Sequence, residues 1–141
     1  MLEQRYANHA ALLLRVSLGA MWISHAMLKV FVFTIPGFQA FLAGQGMPPV
    51  LALPVVVLEI VGGVLIVLGM HGRLASLLLL PVLTGATVAH AANGWVFSNP
   101  QGGWEYPVFL IAMSLVHALL GDGKFSVAPP AGAFRSTLKT A

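Results

Sequence analysis

Cysteine is absent from this chain. No disulfide, thiolate nucleophile or cysteine-held iron–sulfur cluster can come from it. Charge is scarce as well. Asp, Glu, Lys and Arg make up 8% of the 141 residues, against about 25% in an ordinary soluble domain. A water-soluble particle of this composition would expose large apolar patches and aggregate. Familiar motifs are missing too. No phosphate-binding glycine loop and no His-x-x-x-His metal pair occurs. Ser17, Ser24 and Ser114 have no base at motif spacing. No basic face with interleaved aromatics appears, so the net charge of +3 does not point to nucleic acid.

What is present is oil: 58% hydrophobic residues and a mean hydropathy of +0.89. A membrane helix needs about 20 mainly apolar residues. Four segments qualify, at about 10–33, 50–69, 74–92 and 105–121. The last is the shortest, and a re-entrant segment is its alternative. The fold expected is all-α: an integral membrane four-helix bundle over residues 1–127, with a short basic tail at 128–141. The N-terminus has no small-residue cleavage site and does not read as a cleavable signal.

The breaks carry ordinary turn chemistry. Ile35-Pro-Gly and Gly46-Met-Pro-Pro bracket one long loop, and Ser98-Asn-Pro-Gln-Gly-Gly103 marks the other. Gly69-Met-His-Gly-Arg73 is a tight turn. Pro81 falls inside the third segment, where a kink is expected. Phe38, Phe41 and Leu42 keep helical spacing within the first loop. A short interfacial helix and a loop packed on the bundle both fit that spacing.

Lysine and arginine set the orientation. Loops 34–48 and 93–104 contain neither, whereas Arg5, Arg73, Lys124, Arg135 and Lys139 fall on the other side. Both termini are therefore expected in the cytoplasm. Trp95, Phe97, Trp104 and Tyr106 suit an aromatic belt at the outer surface.

Within the stretch Val55–Gly69 stands one charge, Glu59. An ionised carboxylate facing lipid is costly, so intramembrane acids pair or line a cavity. Helix rise of about 1.5 Å per residue sorts the polar residues by depth. His25 and Glu59 fall near the midplane, His90 and Glu105 near the outer rim, and Lys29 between them. His25 and Lys29 share a face at i and i+4. Glu59 is expected to turn inward, toward His25 or Lys29. His90 and Glu105 are expected to form a mouth above that pocket. Each layer also has a plainer reading, as interhelical glue or wetted rim groups. Arg15 and His117 read as boundary residues.

Several stretches, taken in order, resemble the DoxX family. They are Leu14-Arg15-Val-Ser-Leu-Gly19, Ser24-His-Ala-Met-Leu-Lys29, Phe41 with Gly46-Met-Pro48, and Glu59-Ile-Val-Gly-Gly63. Leu68-Gly69, Arg73, Ala89-His-Ala-Ala-Asn-Gly-Trp95, Phe97 to Pro107 and Gly121-Asp-Gly-Lys-Phe125 continue the series. One departure stands out: Ala26 follows His25 where the family often has glycine.

The resemblance implies a multi-pass protein of the bacterial inner membrane. It also implies an association with oxidation of reduced sulfur or thiols, or with oxidative stress, linked to quinone. His25, Lys29, Glu59, His90 and Glu105 are then the candidates for a quinone or substrate pocket. The sequence assigns no catalytic residue; an enzyme of this kind would be an oxidoreductase subunit acting with quinone. No metal or intrinsic redox cofactor is expected. The partners expected are the bilayer, a quinone and a redox protein, and a homo-oligomer stays open. Two other classes stay open as well: a small proton-coupled transporter titrating at Glu59, and a structural anchor without ligand.

Overall fold

The computed structural model describes residues 2–127. The basic tail expected at 128–141, with Arg135 and Lys139, lies outside the described residues. The described chain is helical, with no strand. It comprises α1 (Leu2–Met27), continued by a π turn (Leu28–Val32), then α2 (Ile35–Gly44), α3 (Ala52–Leu68), α4 (Gly72–His90) and α5 (Glu105–Leu120). Short 3₁₀ turns at Pro49–Leu51 and Ala91–Asn93 lead into α3 and out of α4.

Three stretches are long and apolar enough to cross a bilayer: Tyr6–Val32, Pro49–Leu68 and Gly72–Asn93. Helix α5 has 16 residues, about 24 Å at helical rise, and packs along α4 and α1 as the fourth member of the bundle. Large apolar side chains cover the outside, such as Phe31 at 76% and Leu119 at 81% exposure. In water that surface would be a liability; against lipid tails it is the expected one. The protein is a multi-pass membrane protein.

Helix α1 starts earlier than its apolar run. The polar opening Leu2–His9 consists largely of good helix formers and extends the helix beyond the apolar span. Pro81 stays inside α4, which carries through it. The first loop resolves in favour of a helix. Thr34 caps α2, its hydroxyl accepting the Gly37 N–H at 3.3 Å, and Phe38 and Leu42 are buried against Ala52 and Val56.

Two glycine features set the helix packing. Helix α1 lies on α3 at Gly19 and Gly63: a Cβ on Gly19 would come 2.8 Å from the Gly63 carbonyl, and one on Gly63 3.0 Å from Trp22 Cβ. Small residues here let the two backbones approach closely. Helix α3 ends at Gly69, whose φ of 67° suits glycine. There Gly69 N–H donates to Ile66 O at 3.1 Å and Met70 N–H to Leu65 O at 3.0 Å. The chain can then turn within three residues into α4.

The segment 121–127 folds back across the end of the bundle where α1 begins. Arg15 Nη1 donates to the Asp122 carbonyl at 2.7 Å, and Val127 N–H donates to Leu68 O at 2.9 Å. Arg73 Nη2 donates to Leu120 O at 3.3 Å. Arg15, Arg73 and Lys124 thus gather at one end, and the loops without Lys or Arg lie at the other.

Candidate functional site

The carboxylate of Glu59 meets the ammonium of Lys29. Lys29 Nζ donates to Oε1 at 2.7 Å and to Oε2 at 2.8 Å. Glu59 is 2% exposed and Lys29 17%. Glu59 lies seven residues into α3 and nine before its end, so the pair sits near mid-bundle. The depth sorting set Lys29 one turn above Glu59, with His25 level with it. The lysine stem spans that turn and takes the carboxylate.

Lys29 is presented by an unusual backbone. The π turn at Leu28–Val32 closes with Phe33 N–H donating to Leu28 O at 2.9 Å. Such turns are uncommon and recur at functional sites. The chain then passes through Thr34 at φ 62°, ψ 159°, a region that costs a branched residue about 1–3 kcal/mol. Two irregularities in seven residues bring α2 over the pair. Lys29 Nζ sits 5.3 Å from the centre of the Phe38 ring, within cation–π range.

His25 takes other partners. Its Nδ1 lies 3.0 Å from the Met21 carbonyl. A carbonyl only accepts, so Nδ1 carries the proton and Nε2 of the neutral ring is bare. The ring stacks on Tyr106 at 5.7 Å and 24°. Tyr106 in turn lines an open-sided groove of about 440 Å³ with Trp95, Phe97, Glu105, Val108, Phe109 and Ala112. Lys29 and Glu59 do not line this groove.

The outer residues part company. Glu105 Oε1 accepts the Phe97 N–H at 2.9 Å and holds the loop against the start of α5. His90 Nδ1 lies 3.3 Å from Asn93 Nδ2, and its ring tilts against Phe41 at 6.3 Å. The two do not form the single mouth expected of them. Glu105 faces the groove on α5, whereas His90 faces α2. His90 still reaches the ion pair through rings: Phe41 stacks on Phe38 at 6.3 Å, and Phe38 lies beneath Lys29.

A further cluster joins His117 to two residues that the sequence reading did not single out, Ser76 and Asp122. Ser76 Oγ is 2.8 Å from His117 Nδ1, and His117 Nε2 is 3.6 Å from Asp122 Oδ1. Ser76 and His117 are fully buried, and Arg15 is 2% exposed. Arg15 and His117, read from the sequence as boundary residues, are buried inside that end of the bundle. Ser76 and His117 are 41 positions apart, so no local motif joins them. Among the described residues, no group of three potential ligands is placed to hold a metal ion.

The DoxX family model matches residues 10–92, more than half of the chain. The chain belongs to the DoxX family. The chain is similar to a Bacillus subtilis (strain 168) protein named "Putative oxidoreductase CatD". The two are 26% identical over 119 residues, 84% of either chain. No solved structure matches this DoxX chain. The family match covers α1 to α4, with His25, Lys29, Glu59 and His90; Glu105 and the groove on α5 lie beyond it.

Proposed function

We propose that this DoxX protein is an inner-membrane component of a quinone-linked redox system. In this reading a quinone headgroup binds between His25 and the Lys29–Glu59 pair, and a partner protein that oxidises reduced sulfur or thiols supplies the electrons. The observation that carries it is the position of Tyr106, which stacks on His25 and also lines an apolar groove. The groove's volume is within the range of small-molecule sites, about 300–1,000 Å³. It opens to the side, where a lipid-soluble ligand travels, and aromatic rings wall it.

The side chains suit a group that gains two electrons and two protons. Lys29 can donate a hydrogen bond to a carbonyl oxygen. Glu59 and His25 can hold and pass protons at bonding distance from it. The bare Nε2 of His25 accepts one, and Glu59 takes another once a ligand draws Lys29 away. The name of the Bacillus relative agrees with redox chemistry. The gathering of Arg15, Arg73 and Lys124 at one end supports both termini facing the cytoplasm. Reporter fusions at Ala141 and within 98–103 should give opposite signals, and a periplasmic signal at Ala141 overturns that orientation.

The test of function is extraction from native membrane into polymer-bounded lipid discs, with quinone quantified against lipid. Wild type should carry quinone above the bulk ratio, and Tyr106→Ala and Lys29→Met should lose it. Quinone at the bulk ratio in wild type sinks the reading. A proton-coupled transporter or a plain anchor would give that result.

A further inference from the structure

The described residues contain five buried side-chain polar atoms without a hydrogen-bond partner: Arg15 Nε, Trp22 Nε1, Ser114 Oγ, His117 Nε2 and Asp122 Oδ1. They are not scattered. All five lie between the level of the Lys29–Glu59 pair and the end closed by segment 121–127. Arg15 and Trp22 on α1 and Lys29 in the π turn that continues it are seven residues apart, about 10.5 Å per step. Ser114 and His117 lie three apart on α5, sharing a face. Trp22 lies beside Gly63, one turn below Glu59 on α3. Trp22 belongs to the same buried cluster as Ala75, which precedes Ser76, and Leu110, one turn from Ser114.

Unpartnered polar atoms cost most in a lipid-surrounded core, where no bulk water reaches them. Native interiors satisfy such atoms with ordered water. One or two such atoms could be packing accidents. Five in one column, with the rest of the described core free of them, are a structure. We infer that this column holds ordered water and conducts protons between the Asp122 end of the bundle and Glu59. This rests on the redox reading only for the use made of the proton.

His117 is the residue suited to pass the charge. Its Nδ1 faces Ser76 and its Nε2 faces Asp122, so one ring has a nitrogen toward each side. The charged groups around it are Asp122, Arg15 and Arg73. Asp122, 19% exposed, is the entry. Trp22 can only donate, so it anchors a water without accepting a proton. One proton enters at Asp122 for each that reaches Glu59, and nothing is oxidised.

The experiment reads water at Trp22, an indole 2% exposed. The full chain, ¹⁵N-labelled in lipid nanodiscs, gives three indole N–H signals, and the one lost in Trp22→Phe is assigned. This signal should exchange with water while core backbone amides stay protected. His117→Phe and Ser114→Val should slow that exchange by at least about tenfold. Asp122→Leu, at the mouth and outside the core, should slow it too and guards against misfolding of the core variants. Protection of the Trp22 indole equal to that of core amides overturns the inference. So does exchange unaffected by the Asp122 variant. Fast exchange in a protein that carries no quinone leaves the water column standing and removes the redox reading.

Discussion

The bundle buries two charged clusters, and they are built in opposite ways. At mid-bundle, Lys29 meets both carboxylate oxygens of Glu59 within 2.8 Å. Every acceptor there has a donor, and an aromatic ring lies against the cation. At the end closed by residues 121–127, Arg15, His117 and Asp122 are buried to a similar degree, but each keeps an atom without a partner. His117 and Asp122 stand 3.6 Å apart, too far for a hydrogen bond. A closed pair resists opening until a ligand competes for it. A loose cluster leaves room for water and for protons to move. One bundle thus contains a closed pair and a loose cluster, and each can be broken separately.

The largest effect is expected at the closed pair. Removing one partner of a buried pair leaves an uncompensated charge, at a cost of about 3–5 kcal/mol. Glu59→Ala should lower thermal stability in detergent by that order, and Glu59→Gln by less, because the amide still accepts from Lys29. The double variant Lys29→Met with Glu59→Leu removes both charges, and paired removal is often neutral or stabilising. It should therefore melt closer to wild type than Glu59→Ala does. Equal melting temperatures for wild type, Glu59→Ala and Glu59→Gln would mean that the pair is not buried in the membrane.

The loose cluster should yield a smaller loss. Arg15 holds the carbonyls of Asp122 and Phe125 at 2.7 and 3.3 Å. Hydrogen bonds from a charged donor contribute about 1.5–3 kcal/mol. Arg15→Met keeps most of the stem's packing and drops these bonds, so segment 121–127 should detach before the bundle melts. Faster hydrogen exchange at Val127, whose amide bonds Leu68 O, with α3 amides unchanged, is the expected signature. Uniform loss of protection throughout would show that the two clusters form one cooperative unit and would erase the distinction drawn between them.

How far the sequence reveals this arrangement follows from the reach of each argument. Apolar run length finds four helices, because the bilayer sets one length for all. Depth counting finds that Glu59 needs a cation from α1, but it treats side chains as points. The stem of Lys29 covers the one-turn error, so the pair forms where His25 was level. The π turn has no mark in Leu-Lys-Val-Phe-Val, which contains neither glycine nor proline. Positive charge near a predicted helix end suggests a boundary, and so Arg15 and His117 seemed peripheral. Segment 121–127 covers that end and makes them interior. Ser76 carries no local signal in α4, since its partner His117 lies on another helix, 41 positions away.

The smallest effect is expected in the outer loop, and it tests whether the groove depends on either cluster. Glu105 stands at the first position of α5, where a carboxylate also suits the helix dipole. Its Oε1 accepts the Phe97 N–H at 2.9 Å. Its own N–H donates to Trp95 O at 3.1 Å, and Trp104 N–H donates to Gly94 O at 3.2 Å. Trp95 and Trp104 meet edge to face at 4.5 Å. Backbone bonds and the tryptophan pair therefore hold the loop without the carboxylate. The Phe97 amide lies where water can replace the lost acceptor, so Glu105→Ala should cost less than about 1 kcal/mol. Melting should barely move. The fluorescence of Trp95 and Trp104 should shift, because Phe97 is freed from one wall of the groove. If the groove is the quinone entrance, quinone retention should fall while the Lys29–Glu59 pair stays intact. Retention at the wild-type level, with the tryptophan signal shifted, would place the entrance elsewhere on the bundle, most simply along the hollow of Ile23, Met27 and Phe31 on α1 and the π turn.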